Sequence, residues 1–373
     1  MATDAWTTSF LASLAGPDLT LPFPPRTRTF ADQTIRQTVR LRRGGTAVRL
    51  VLSNEFGREP LVIDEIVLSS PSKRDVPVGR KGLARWEIAA GATAISDPVP
   101  VTVEAADELT ISCFVATRTE PATYLHSAQR TAQIAPGNQL CERQLTKAET
   151  SSSVYWIGRV LVDTPAQGPV LVAVGDSITR GDGTTTDADQ RYPDHLQRRL
   201  PNGAVVLNAG LGANRLLRPE LGPPMTERYE RDVLSVAEAT HVIIMGGIND
   251  IALPAMLGET RPSAAELVEG LRTLARRAQE RGIRPLLGTI TPVGISRIDD
   301  FVASGNQDVR LAVNDALRAQ TEWPIVDFAA AVADATDSNR LAGYYDSGDG
   351  LHPNDAGARA LAHAIELARF DMA

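Results

Sequence analysis

Two periods run along this chain. Between about residues 34 and 163 apolar positions recur every second residue or in short runs, at residues 38–42, 47–52, 61–68, 99–103, 109–115 and 154–162. Such alternation gives a strand one face for a core and one for water. Clusters of Gly, Pro, Ser and Asp separate the segments, and Gly44-Gly45 between the first two is a hairpin signal. Few helical stretches intervene, so this half predicts a jelly-roll-like β-sandwich over residues 1–165.

The period changes after residues 164–169, a Pro- and Gly-containing linker. Short apolar strands at 170–174, 204–207, 241–245, 285–290 and 324–328 now alternate with helix-period segments. Ser263 with Glu266 three positions on is a capping-box pattern, and Leu267, Leu271, Leu274, Ala275 and Ala278 then share one helical face. A closing helix from about Asn354 puts Leu361, Ile365 and Ala368 on a stripe. This alternation predicts a mostly parallel sheet covered on both faces over residues 166–373. In such sheets a ligand sits outside the carboxyl ends of the strands, so chemistry is to be sought there.

Composition narrows the classes. A hydrophobic share of 43% and a charged share of 22% suit a globular protein. A net charge of −7, a pI near 5.4 and no Lys/Arg block argue against nucleic acid or an anionic membrane as partner. Cys113 and Cys141 are too few for a disulfide framework or a four-thiolate zinc site. Cys113 lies in an apolar run and reads as a buried thiol, with a single Cys113–Cys141 bridge left open. No apolar run approaches a membrane span, and no basic n-region with an apolar stretch opens the sequence. The expectation is a cytoplasmic protein as written, or a secreted one from which a leader has been removed.

Four strand ends carry candidate chemistry. The first parallel strand runs into Gly175-Asp176-Ser177-Ile178-Thr179, which puts a serine hydroxyl above the sheet beside backbone N–H groups; equally, Asp176 or Ser177 could be a helix N-cap and no more. The second ends in a loop from Asn208 to Arg215. It misses the dinucleotide fingerprint because Arg215 stands where a third glycine belongs. Its backbone and asparagines would instead face a reacting carbonyl. The third ends in Gly246-Gly247-Ile248-Asn249-Asp250, where the Asn249 amide suits a developing oxyanion, although Asn-Asp after glycines is also ordinary turn chemistry.

Before the last helix, Asp349 and His352 stand three apart on a glycine-containing turn, the spacing of a base and its orienting carboxylate. His241, His363 and His195 read as structural or solvated, and His126 in the first half is the one further candidate. No His-x-x-x-His, His-Glu-x-x-His or Cys-x-x-Cys spacing occurs, so no metal is expected.

These blocks resemble, in order and spacing, the four signature blocks of the SGNH (GDSL) hydrolases, over roughly residues 169–373. The first half is similar to the N-terminal β-domain of two-domain members. The resemblance implies a three-layer α/β/α, flavodoxin-like catalytic domain and a serine esterase without cofactor. It implies Ser177 as nucleophile, His352 as base and Asp349 as its orienter. The implied oxyanion hole is the Ser177 N–H, the Ala213 N–H and the Asn249 side chain. Ala213 departs from the family, whose second block usually has glycine five residues after its asparagine. Gly212, Asn214, Arg215 and His126 are the expected substrate contacts. The expected substrates are short-chain esters, with acetyl esters of carbohydrates the best guess. Two other readings stand beside it, an acyltransferase using the same triad and a non-catalytic carbohydrate- or partner-binding protein.

Overall fold

The computed structural model describes residues 6–17, 26–294 and 305–370. Residues 1–5, read above for a leader, lie outside the described residues. The chain divides into two compact units, Met1–Gln167 and Gly168–Ala373.

In the first unit every strand pairing is antiparallel. A six-stranded sheet runs, edge to edge, Glu149–Ser151, Ala132–Pro136, Gln33–Arg40, Glu108–Val115, Glu65–Ser69 and Val76–Pro77. A four-stranded sheet runs Thr7–Leu11, Ile157–Val162, Val48–Ser53 and Thr93–Ile95. Along Gln33–Arg40 the pleat buries Ile35, Gln37 and Val39 and leaves Arg36, Thr38 and Arg40 half exposed. The buried Gln37 amide is satisfied by the Tyr155 backbone, donating to its carbonyl at 3.2 Å and accepting from its N–H at 2.6 Å. Cys113, on Glu108–Val115, is buried and Cys141 exposed; both are free, and burial pushes the Cys113 thiol up to about 12.

Two sequence expectations need correction in this unit. Gly44-Gly45 does not turn a hairpin, because the strands on either side belong to different sheets. The glycines instead lie against Val103 and Asp163: the Gly45 N–H donates to the Val103 carbonyl at 2.9 Å, and the Thr46 and Ala47 N–H groups donate to Asp163. Residues 99–103 make only isolated bridges, Val99 to Val48 and Val103 to Gly45. Pro98 and Pro100 explain this, since neither has an N–H to give a ladder.

The second unit holds a five-stranded sheet, all of whose pairings are parallel. In chain order its strands are Val170–Gly175, Val205–Gly210, His241–Met245, Arg284–Gly288 and Ile325–Val326. In space the second strand is at one edge, followed by the first, third, fourth and fifth. That is the doubly wound, flavodoxin-like order, and it reverses direction between the first and third strands. The helices are α1 (Ser177–Arg180), α2 (Tyr192–Arg199), α3 (Met225–Tyr229), α4 (Ile248–Ala252), α5 (Pro254–Leu257), α6 (Ala264–Glu280), α7 (Asn306–Ala319), α8 (Phe328–Val332) and α9 (Asp355–His363).

The first strand is buried at every position, as a strand covered on both faces must be. Leu171 and Ala173 join a core with Tyr192 and Leu196 of α2, Phe328 of α8 and Leu361 of α9. Val170, Val172 and Val174 alternate to the opposite face, on the side where α6 packs on the third and fourth strands with α3 and α7 against it. The Ser263 capping box forms as expected, Oγ accepting from the Glu266 N–H while the Glu266 carboxylate accepts from the Ser263 N–H at 2.7 Å. The closing helix is shorter than its pattern: α9 ends at His363, and a 3-10 turn at Leu367–Phe370 buries Phe370 and leaves Ala368 exposed. The tighter turn shifts the stripe off helical spacing.

Candidate active site

The first and third strands are neighbours where the strand order reverses, and they lead into the segments that carry Ser177 and Asn249. The first strand passes through Gly175 into α1, and here the capping duty falls to Asp176, whose carboxylate accepts from the Ile178 N–H at 3.0 Å. Ser177 is therefore the first helical residue, its hydroxyl is not spent on the cap, and its N–H is one of the donors a helix start leaves without an intrahelical partner. Burial pushes the Asp176 carboxyl up to about 6, against the Ile178 bond.

His352 comes to this serine from 175 residues downstream: its Nε2 lies 2.8 Å from Ser177 Oγ. Its Nδ1 lies 2.6 Å from Asp349 Oδ2. The turn that holds the pair is cross-tied. Asp346 Oδ1 accepts from the Gly348 and Gly350 N–H groups, and Asp349 Oδ1 accepts from the Leu351 and His352 N–H groups. Asn354 then caps α9, accepting from Ala356 and Gly357.

Charge follows this geometry. Burial works against the Asp349 carboxylate, but the bonds from the His352 ring and backbone overcome it and hold its pKa far below the usual carboxylate range. Burial also works against a charged His352. The Asp349 bond and the negative charges of Asp182 and Asp349 outweigh it, so the imidazole pKa stands above its ordinary value. Asp182 is itself gripped by Arg180, with Nε to Oδ1 at 2.8 Å and Nη2 to Oδ2 at 2.5 Å.

The second strand ends under α1. A Cβ on Gly210 would lie 2.2 Å from the Arg180 backbone nitrogen, so only glycine lets α1 approach this closely. Asn208 fastens the same junction, donating to the Thr179 carbonyl at 2.8 Å and accepting from the Gly210 N–H at 2.9 Å. Gly212 lies flat on the Arg180 guanidinium, where a Cβ would come within 2.3 Å. Ala213 has φ of 54°, the left-handed region that glycine occupies without penalty.

Asn249, in the first turn of α4, is buried, and its Nδ2 donates to the Asn214 carbonyl at 3.0 Å. Three of the expected substrate contacts have the following surroundings. The Asn214 side chain is consumed inside the protein: its amide donates to the Leu221 and Pro223 carbonyls and its oxygen accepts from Arg228. Arg215 is buried and paired with Glu259 at 2.6 Å. His126, in the first unit, is buried with its ring 6.1 Å from that of Tyr124.

Two residues at this site carried no role in the sequence reading. Asp250 accepts from the Leu216 and Leu217 N–H groups at 2.6 and 3.0 Å, pinning the second loop from below; burial raises its carboxyl to about 6. Arg228, fully buried on α3, reaches the ends of the first two strands. Among the described residues no group of three His, Cys, Asp or Glu could hold a metal ion, and no helix is long and apolar enough to cross a membrane.

The fold and these strand-end blocks define a class. The family described as GDSL-like lipase/acylhydrolase matches residues 173–360, half of the chain, and the protein belongs to that family. An acetylxylan esterase of Xylanibacter ruminicola is 26% identical over 220 residues, an alignment that covers 56% of this chain and 44% of that protein's own length. A GDSL-like lipase structure from Bacteroides thetaiotaomicron is 18% identical with a TM-score of 0.42, covering 53% of this chain and 86% of that one. A carbohydrate acetylesterase structure from Sinorhizobium meliloti is 17% identical with a TM-score of 0.42, covering 52% and 95% respectively.

Proposed function

We propose that this protein is a serine carboxylic-ester hydrolase in which Ser177 is the nucleophile, His352 its general base and Asp349 the residue that orients and charges the base. The observation that carries the reading is the continuous chain from Ser177 Oγ through the His352 ring to Asp349, with heavy-atom distances of 2.8 and 2.6 Å. Both lie within the reach that proton transfer requires. Ser177 Oγ attacks the ester carbonyl as its proton passes to His352 Nε2, and Asp349 stabilises the imidazolium that forms. The tetrahedral oxyanion is received by the Ser177 N–H, the Ala213 N–H and the second N–H of the Asn249 amide. Collapse returns the proton from His352 to the departing alcohol, and water, activated by the same ring, releases the acid. Short-chain esters are the proposed substrates, acetyl esters of carbohydrates foremost; the acetylxylan esterase similarity supports that choice.

A fluorophosphonate probe tests the centre of this reading. It is expected to label Ser177 stoichiometrically, and Ser177→Ala is expected to lose both labelling and turnover of p-nitrophenyl acetate. Labelling at another serine, with turnover intact in the variant, would sink the mechanism. A panel of acetylated xylo-oligosaccharides against longer acyl esters tests the substrate.

A further inference from the structure

A buried arginine needs a reason, because its charge must be matched by partners wherever water is excluded. Arg228 has its reason in two halves. One nitrogen, Nη1, lies 2.8 Å from Asp232 Oδ2, one turn along, which answers the charge. Asp232 is also held by Arg231, so charge balance alone does not call for the reach that Arg228 makes. The rest of the guanidinium points into the site. Nη2 donates to the Gly175 carbonyl at 2.7 Å, at the end of the first strand. Nη1 also donates to the Ala209 carbonyl at 2.9 Å, at the end of the second. Nε donates to the Asn214 side-chain oxygen at 2.8 Å, on the loop that follows.

The same Gly175 carbonyl accepts from the Leu211 N–H at 3.0 Å, so the root of the nucleophile and the root of the second loop share one acceptor that Arg228 also grips. Asn214 passes the constraint on. Its side chain is fixed at three points, and its backbone carbonyl accepts one N–H of the Asn249 amide at 3.0 Å. An amide nitrogen has two hydrogens in one plane. Committing one of them to Asn214 fixes the direction of the other.

We infer that Arg228, acting through Asn214, is a positioning residue for the oxyanion donor: it fixes which way the free N–H of Asn249 points and ties that donor to the strand that carries Ser177. Arg228 touches no reacting atom. Its work is to spare the hole the reorganisation it would otherwise undergo in the transition state, where preorganised donors contribute most. The inference rests on the proposed role of Asn249.

A double-mutant cycle on the full chain separates the two, with p-nitrophenyl acetate as substrate and circular dichroism to establish folding. Arg228→Lys keeps a cation near Asp232 and cannot make the fork. It is expected to lower kcat by roughly 10- to 100-fold with KM within about threefold, the mark of an interaction made mainly in the transition state. In the Asn249→Ala background the same change is expected to cost less than about threefold more, because the donor it positions is gone. Asn214→Ala cuts the link while leaving the strand-end bonds of Arg228 in place, and is expected to give the same non-additive pattern. A folded Arg228→Lys variant with the wild-type kcat overturns the inference. So do equal losses in the two backgrounds, which would make Arg228 a purely structural tie. If Asn249→Ala alone keeps full kcat, the oxyanion assignment itself is wrong, and that result is read from a different arm of the cycle.

Discussion

In the proposed mechanism the Ser177 proton must have somewhere to go before the oxygen attacks, and only a neutral His352 can take it. Because Asp349 and Asp182 hold the imidazole pKa above its ordinary value, protonation takes the base away at a higher pH than for an isolated histidine. The expected kcat/KM profile therefore rises through one ionisation lying above about 6.5 and is lost as pH falls through it. Asp349→Asn should move that limb to lower pH and cut kcat by about 10⁴, since the ring loses both its partner charge and its tautomer. A pH–rate series on the two proteins checks both statements. Ala213 offers a second test. An L-residue in the left-handed region costs about 1–2 kcal/mol, and glycine returns part of this as about 0.5–1 kcal/mol of unfolded-state entropy. Ala213→Gly should therefore leave thermal stability unchanged or raise it slightly, and should change kcat by less than about tenfold, because the N–H is kept. The two short blocks that carry Ser177 and the Asp349–His352 pair were legible in the sequence because each is local and glycine-marked. The internal partners of the Asn214 and Arg215 side chains were not legible, because a polar residue in a strand-end loop looks the same in sequence whether it faces a substrate or a buried partner. Arg228 was invisible for the opposite reason: Arg228 and Asp232, four apart among Glu227, Glu230 and Arg231, have the spacing of a solvated helical ion pair.

At the scale of elements, the placing of Ser177, the proposed nucleophile, depends on how closely one turn of helix can sit on one strand end. Gly210→Ala would set a methyl group against the backbone of α1, which cannot yield as a side chain would. The variant is expected to fold but to lose about 10² in kcat/KM, since misplacement by about 1 Å costs that much in a positioned reaction. Steady-state kinetics with a Ser177 labelling-rate comparison would show it; full activity would mean that α1 can shift without harm. A contrasting case lies in the cap of α6. Ser263→Ala removes one bond of a box remote from the chemistry and should cost about 1 kcal/mol of stability with turnover unchanged. That box was readable because both its members lie within four residues. The Gly44-Gly45 turn was misread because a glycine pair marks close backbone approach as readily as a hairpin, and here the approach is to Val103, a long way off in sequence.

At the scale of the molecule, the parallel sheet followed from the alternation of strands and helices, whereas its flavodoxin-like order came only with the family resemblance, and the sheet membership of the first unit depends on pairings that periodicity does not encode. The whole Ser177–His352–Asp349 chain lies within Gly168–Ala373. Those residues expressed alone are therefore expected to fold and to react with the fluorophosphonate probe, and residues 1–167 alone to stay unlabelled; mass spectrometry of the two fragments decides it. The order of the blocks has a further result, in time rather than in space. Ser177 leaves the ribosome 175 residues ahead of His352. At about 5–20 residues per second that is a lag of roughly 9–35 s. Under the proposed mechanism the serine is throughout it an ordinary alcohol, with no base to activate it. On that mechanism the nascent chain is expected to be chemically silent during synthesis, with turnover beginning only once the turn ahead of α9 has been made and seated.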